Sequence, residues 1–115
     1  MASTLRLFHA TDRKNLASIR EHGLLVSKAD VTARLKGVWL HSKTNSPWAI
    51  IHTLKKHKAQ LEDVILIEVK VSRAQLTRFV NPTCAKGIYW SKTDIRPDRL
   101  GAVIEGTTFG ASLSN

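Results

Sequence analysis

The sequence predicts an α+β fold, in which a small β-sheet packs against two or three helices. Three segments carry this prediction: an alternating strand at 4–10, an amphipathic helix at about 13–22, and an almost continuously apolar strand at 64–71. Strands and helices alternate at first and strands then dominate. That order favours α+β over a doubly wound parallel sheet.

The first helix carries a recognisable signal at each end. Asp12 has a side chain that can cap the helix N-terminus, and Gly23 is typical of a C-terminal stop. Residues 24–36 show no clear period. We expect a loop there, with one helical turn around Ala29–Arg34.

A second strand and helix follow. Residues 37–41 predict a strand, and the Asn-Ser-Pro sequence at 45–47 is typical of a helix start, with the helix continuing to about residue 58. The apolar residues at helical spacing, which we expect to form its buried stripe, are Trp48, Ile51 and Leu54.

The rest of the chain is mostly strand. Val64–Val71 is almost continuously apolar and therefore predicts a central strand. The other predicted elements are a helical turn at 73–76, strands at 88–90 and 100–104, and a turn at 94–100. We expect one domain over residues 1–106 and a loose C-terminal tail over 107–115.

Composition excludes several classes of protein. No stretch of the 115 residues approaches the roughly 18 apolar residues that a membrane span requires. The N-terminus has no charged region followed by a long apolar run, which argues against a secretory signal. The lone cysteine, Cys84, cannot form an internal disulfide or an all-cysteine metal site. We therefore expect a cytoplasmic protein without a metal.

The charge balance indicates a polyanionic partner. Eighteen Lys and Arg against nine Asp and Glu give a net charge of +9, and DNA or RNA is the commonest intracellular polyanion. The alternative is a solvated basic surface with no specific partner. The residues that we expect to contact nucleic acid are Lys55, Lys56, Lys58, Arg96 and Arg99.

One pattern in the sequence resembles a known family. The pattern is H-x-T-x-x-x-N-L-x-x-I-x-x-x-G-L, filled by His9, Thr11, Asn15, Leu16, Ile19, Gly23 and Leu24. It resembles the opening of the ADP-ribosyltransferase fold, closest to the branch of tRNA 2′-phosphotransferases and DNA-modifying ADP-ribosyltransferase toxins. Further blocks at 37–42, 64–71 and 86–100 follow in the same order, so the resemblance covers most of residues 5–104.

The resemblance implies a small split, twisted β-core that holds NAD in a cleft. In that fold His9 would hydrogen-bond a ribose hydroxyl of the nicotinamide nucleoside, and Ala10, Thr11 and Asn15 would line the same pocket. Cleavage of the nicotinamide–ribose bond passes through a cationic state that is stabilised by fixed dipoles rather than by a strong nucleophile. The aromatic residues available to form a planar wall for nicotinamide are Trp39, Tyr89 and Trp90.

Two other positions bear on catalysis. Arg34 matches an arginine that grips phosphate in the phosphotransferases, and we count it with His9 as a catalytic candidate. Their second phosphate arginine has no equivalent near residues 52–58, where lysines stand instead. Most ADP-ribosyltransferases also need a glutamate where this chain has Lys86–Trp90. Two explanations fit the missing glutamate. Either the acceptor is already an anion, such as a phosphate, and needs no base, or the site does not catalyse the reaction.

The leading expectation is NAD-dependent ADP-ribosyl transfer to a phosphate or base of nucleic acid, as in a toxin or phage-type effector. One alternative is a transferase-like fold that binds nucleic acid or a protein partner, such as an antitoxin, without catalysis. Another is a DNA-binding helix-turn-helix over Leu16–Leu35, whose second helix would open at Ser27. In a purely structural interpretation, His9 is satisfied by backbone and the aromatic residues belong to the core.

Overall fold

A computed structural model describes residues 4–28, 31–32, 35–78 and 87–113 of the protein. Two α-helices are present in these ranges, α1 (Leu16–His22) and α2 (Ser46–His57). The strands are β1 (Thr4–Asp12), β2 (Val31–Thr32), β3 (Leu35–Lys36), β4 (Val38–His41), β5 (Val64–Ser72), β6 (Leu76–Arg78), β7 (Ile88–Ser91) and β8 (Leu100–Glu105). The α+β class predicted from the sequence is confirmed.

Six of the strands form one antiparallel sheet in the order β6–β7–β4–β1–β5–β8. The short strands β2 and β3 pair separately as a hairpin. The apolar strand β5 is hydrogen-bonded on both sides, to β1 and β8. Its residues 64–67 are buried on both faces, as the unbroken apolar run predicts.

Helices cover both faces of this sheet. Leu7 of β1 belongs to a cluster with Val69 of β5, against which Ile19 of α1 packs. The next residue, Phe8, belongs to a second cluster with Ile50 of α2 and Leu66 of β5. Successive side chains of a strand point to opposite faces, so α1 and α2 lie on opposite sides of the sheet.

The pairing of β1 is unequal on its two sides. It is matched to β5 at nine successive residues, from Thr4 to Asp12. In the described part of the chain it is matched to β4 at one position, Phe8 with His41. The two strands therefore separate beyond Phe8, and we call this opening the seam.

Residues 24–36 differ from the prediction. A 3-10 turn at Val26–Lys28 leads into β2 and β3, so the helical turn expected over Ala29–Arg34 is wrong at Val31 and Thr32. Both residues are β-branched, which favours an extended backbone. Residues 29, 30, 33 and 34 lie outside the described ranges. With no second α-helix in the described part of Leu16–Leu35, the helix-turn-helix alternative loses its recognition helix.

The chain after β8 is also more ordered than the expected loose tail. Gly106–Leu113 forms a 3-10 helix. Phe109 packs against the cluster that contains Phe8 and Ile50. The first part of the expected tail therefore covers the α2 side of the sheet.

Neither α-helix in the described ranges has the length and apolar character needed to cross a membrane.

Gly23 connects α1 to the body of the fold. It has a φ of 84° and a ψ of −169°, a conformation that is essentially restricted to glycine. Its N–H donates to the carbonyl of Ile19 at 2.7 Å, and the next residue, Leu24, exchanges two backbone hydrogen bonds with Ile95. A Cβ at Gly23 would overlap the Ile95 carbonyl oxygen.

We expect Gly23→Ala to lower the free energy of unfolding by about 2–4 kcal/mol, because it adds backbone strain to a steric clash. The matched control is Gly110→Ala, where an added methyl group meets no atom closer than 4.0 Å. That change should stay within about 0.5 kcal/mol of the parent. Urea unfolding of the three proteins measures both values. Equal stability of the two variants would contradict the role assigned to Gly23.

Candidate functional site

A cleft with a volume of 270 Å³ lies at the seam, and residues of both α-helices contribute to its walls. We call it the seam cleft. It contains residues from the separated parts of β1 and β4, which face each other without pairing. Four of the chain's five histidines line it, namely His9, His41, His52 and His57.

His9 lies in β1, half-buried at the cleft wall. Its Nδ1 lies 2.9 Å from the backbone carbonyl oxygen of Trp39 across the seam. A carbonyl oxygen only accepts, so Nδ1 carries the hydrogen and donates it, and Nε2 of the neutral ring is an acceptor. Part of the purely structural interpretation therefore holds, since one nitrogen is satisfied by backbone. The same bond fixes the orientation of a ring that lines a cleft.

Thr11 and Asn15 are held together beside His9. The Asn15 side-chain amide donates to the Thr11 hydroxyl at 3.1 Å, and Thr11 is buried. Asp12 caps the 3-10 turn between them by accepting from the Lys14 backbone N–H at 2.9 Å. The cap makes this part of the cleft wall a rigid turn rather than a loop.

Arg13 connects the same turn to β8, an edge strand of the sheet. Its guanidinium makes hydrogen bonds to the Glu105 carboxylate at the end of β8 and to the Glu62 backbone oxygen. The Arg13 guanidinium holds the pKa of Glu105 below its usual range. Both side chains are about half exposed, so this pair positions the turn more than it stabilises the fold.

Of the three aromatic residues that the sequence suggested for the cleft wall, one lines the cleft in the structure. Trp39 lines the cleft, whereas Tyr89 packs against the cluster on the α1 side. Trp90 stacks on Trp39 with ring centroids 6.5 Å apart, and a Cβ at Gly37 would overlap its indole. Tyr89 and Trp90 are thus absent from the described cleft lining, and Trp90 supports Trp39 from the neighbouring strand.

His41 is a cleft residue that the sequence did not reveal. It is 2% exposed, lies against the Phe8 ring, and has an Nε2 with no hydrogen-bond partner among the described residues. Burial, together with nearby His9, lowers the pKa of His41 to about 3. The ring is therefore neutral at physiological pH. A buried polar atom without a partner is unusual, and here it belongs to a residue of the cleft lining.

The cleft has a marked charge bias. None of the described residues that line it is aspartate or glutamate, while Lys28, His52 and His57 contribute cationic or titratable nitrogens. A carboxylate general base is therefore absent from the described lining. The arrangement favours a ligand that is anionic or rich in hydrogen-bond acceptors.

The predicted buried stripe of α2 is wrong at two of its three residues, whereas Leu54 packs against the core as predicted. Trp48 is 37% exposed and Ile51 is 39% exposed, whereas Ala49, Ile50 and Thr53 are buried. The buried Thr53 hydroxyl donates a hydrogen bond to the Ala49 carbonyl oxygen at 2.8 Å. Trp48 instead stacks on His52, with ring centroids 5.5 Å apart and an interplanar angle of 17°. Both rings lie at the cleft.

The remaining predicted residues are distributed unevenly. Ala10, Thr11 and Asn15 line the cleft with His9. Lys55, Lys56 and Lys58 are exposed at the C-terminal end of α2. Arg96 and Arg99 are exposed at the separate turn before β8, outside the cleft lining. Arg96 Nε lies 3.4 Å from Asp98 Oδ1, within ion-pair distance. Arg34 lies outside the described residues.

No protein-family model matches the chain, and a search among curated proteins finds no significant match.

We expect His41 to make the fold sensitive to acid. The unfolded chain takes up a proton near pH 6.5, whereas the folded chain keeps the pKa of His41 at about 3. Stability is therefore complete above pH 6.5 and falls as the pH drops below it, by up to about 1.4 kcal/mol per pH unit from this group. His41→Gln should lose that part of the slope between pH 6.5 and 5.

The measurement is urea unfolding of parent and variant across this pH range. His22→Gln is the matched control, because His22 is 53% exposed at the end of α1. Its slope should equal that of the parent. An unchanged slope in His41→Gln would show that the ring is not buried as a neutral group.

Proposed function

We propose that the seam cleft binds the nicotinamide half of NAD and that the protein transfers ADP-ribose from it to nucleic acid. The observation that carries this proposal is the position of His9. Its ring is oriented by the Trp39 carbonyl at 2.9 Å and lines a cleft instead of being enclosed in the core. An imidazole held this way suits a ribose hydroxyl, which can donate to the Nε2 acceptor.

The volume of the cleft supports a partial enclosure of the cofactor. At 270 Å³ it lies near the lower limit of ligand pockets, which range from about 300 to 1,000 Å³. A whole dinucleotide would exceed it, so one nucleoside half enters and the other remains at the surface. Trp39 offers an aromatic surface to the planar base.

The cationic lining supports the same ligand. Lys28, His52 and His57 contribute positive or titratable nitrogens without a neighbouring carboxylate in the described lining. The pyrophosphate of a dinucleotide is an anion that such a lining attracts. Arg34 remains the sequence-based candidate for a further phosphate contact.

The proposed transfer needs no general base if the acceptor is a phosphate. The bond between ribose C1′ and the nicotinamide nitrogen breaks, and nicotinamide leaves as a neutral base with the electron pair. An anionic phosphate oxygen of the nucleic acid then bonds to C1′. Because this oxygen carries no proton, none has to be removed, which agrees with a cleft lining without carboxylates.

A second candidate function rests on the same absence of carboxylates. Without turnover, the protein would bind NAD or nucleic acid as a module that controls a partner. If the module binds NAD, the two functions share the cleft and differ in whether the C1′–nitrogen bond is broken.

We expect NAD to raise the melting temperature of the parent protein, because a ligand that binds only the folded state stabilises it. At 100 times the dissociation constant the gain is about 2.7 kcal/mol, which corresponds to roughly 10 °C for a domain of this size. His9→Ala should abolish this shift and leave nucleic-acid affinity almost unchanged. His22→Ala, remote from the cleft lining, is the control and should keep the full shift.

Differential scanning fluorimetry measures the shift, and circular dichroism checks that each variant is folded. A parent protein that shows no shift at millimolar NAD would contradict the proposal. So would His9→Ala, if it lost NAD and nucleic-acid binding equally.

We expect ADP-ribose to appear on an oligonucleotide with a terminal phosphate and not on the same oligonucleotide after dephosphorylation. The physical reason is that a hydroxyl acceptor needs a base, and the described cleft lining has no carboxylate. Mass spectrometry of both oligonucleotides after incubation with NAD detects the adduct. Equal modification of both would exclude the terminal phosphate and point to a base or an internal phosphodiester, and NAD binding without any adduct would favour the non-catalytic module.

A further inference from the structure

The exposed side of α2 combines an aromatic ring with positive charge. Four residues at helical spacing lie on it, and we call them the α2 stripe: Trp48, Ile51, His52 and Lys55. Trp48 and Ile51 are the two large hydrophobic residues that are exposed in the described part of the chain. His52 is half-buried and stacks on the Trp48 ring, and Lys55 is exposed.

The surroundings of the α2 stripe are uniformly basic. Residues 43–58 contain four lysines and two histidines but no aspartate or glutamate. Lysines in the last turn of a helix also stabilise its dipole, which accounts for Lys55 and Lys56. The dipole does not account for a tryptophan exposed in the first turn, nor for the absence of acidic residues along the whole segment.

Exposed aromatic rings beside lysines are the combination that binds single-stranded nucleic acid. Each base can stack on an aromatic face while the cationic groups follow the phosphates. In a duplex the base faces are already stacked on one another, so the Trp48 ring would have no face to contact. An acidic protein would use the lysines but gain little from an indole stacked flat on an imidazole.

We propose that the α2 stripe binds single-stranded nucleic acid, with one base stacked on Trp48 and the backbone phosphates along Lys55 and Lys56. The helical rise places Lys55 about 10 Å from Trp48 along the axis, so neighbouring nucleotides of one strand can reach both. This inference deepens the proposed function by naming the form of the acceptor, and it rests on that function only for the statement that the strand is modified.

The position of Trp48 connects the strand to the cleft. Trp48 and His52 belong to the α2 stripe and also line the seam cleft. A nucleotide that follows the stacked base therefore lies at the cleft entrance, close to where C1′ of the bound cofactor would be attacked. Strand binding and cofactor binding thus use adjoining surfaces of one helix.

The test is the fluorescence anisotropy of a labelled twelve-nucleotide oligothymidylate with the full chain, in the absence of NAD. We expect Trp48→Ala to weaken binding about tenfold, within the range that one stacked base supplies, and Trp48→Phe to retain most of the affinity. Ile51→Ala is the matched control, because Ile51 is equally exposed on the same stripe but has no aromatic face. It should change the affinity less than twofold.

The charge part of the proposal has its own readout. Lys55→Gln should reduce the slope of log affinity against log salt by about 0.7, the value for one lost contact with a single strand. Lys70→Gln, an exposed lysine on β5, should leave the slope unchanged. Any of three results would overturn the proposal: Trp48→Ala binding within twofold of the parent, an abasic oligonucleotide or a duplex binding as tightly as the single strand, or polyglutamate doing so.

Failure of this inference can be separated from failure of the proposed function. If NAD stabilises the protein but oligothymidylate does not bind through Trp48, only the α2 stripe assignment falls. If oligothymidylate binds through Trp48 but NAD has no effect on the melting temperature, the strand site stands and the cofactor assignment falls.

Discussion

The single matched position between β1 and β4 is the constraint on which the rest of this structure depends. Phe8 and His41 bring the two strands together, and beyond them the sheet opens. Everything of chemical interest lies around that opening: the oriented His9 ring, the neutral His41, and the aromatic Trp39. If β1 and β4 were paired along their whole length, the cleft would be closed by an ordinary sheet.

The charges of the site agree with the charge of the whole chain. A net charge of +9 makes the protein attractive to polyanions at long range. The described cleft lining without carboxylates and the basic segment 43–58 carry the same preference to the site itself. The His41 ring, held neutral by burial, lines the cleft without adding a further charge.

The elements that the sequence predicted well are those with strong local signals. The strand at Val64–Ser72 is recognisable because its residues 64–67, buried on both faces, are all apolar, and Gly23 is recognisable because few other residues adopt its backbone conformation. His9 and Asn15 both line the cleft, although β1 continues past the predicted end at residue 10 to Asp12.

The predictions that proved wrong, and the residue that was missed, concern burial that depends on contacts distant in the sequence. In α2, Trp48 and Ile51 have the same helical spacing as the buried Ala49, Ile50 and Thr53. The choice between these faces depends on which one fits closely against the sheet, and the sequence pattern does not contain that information. His41 was missed for a related reason. Its burial follows from pairing with Phe8, a residue 33 positions earlier.

The seam also has a consequence for the solubility of the protein. It gives the sheet two additional strand edges in its interior, and exposed edges invite pairing with strands of other molecules, which leads to aggregation. Here α1 and α2 flank the opening from opposite faces. The two helices therefore restrict the approach of a strand from another molecule to these interior edges.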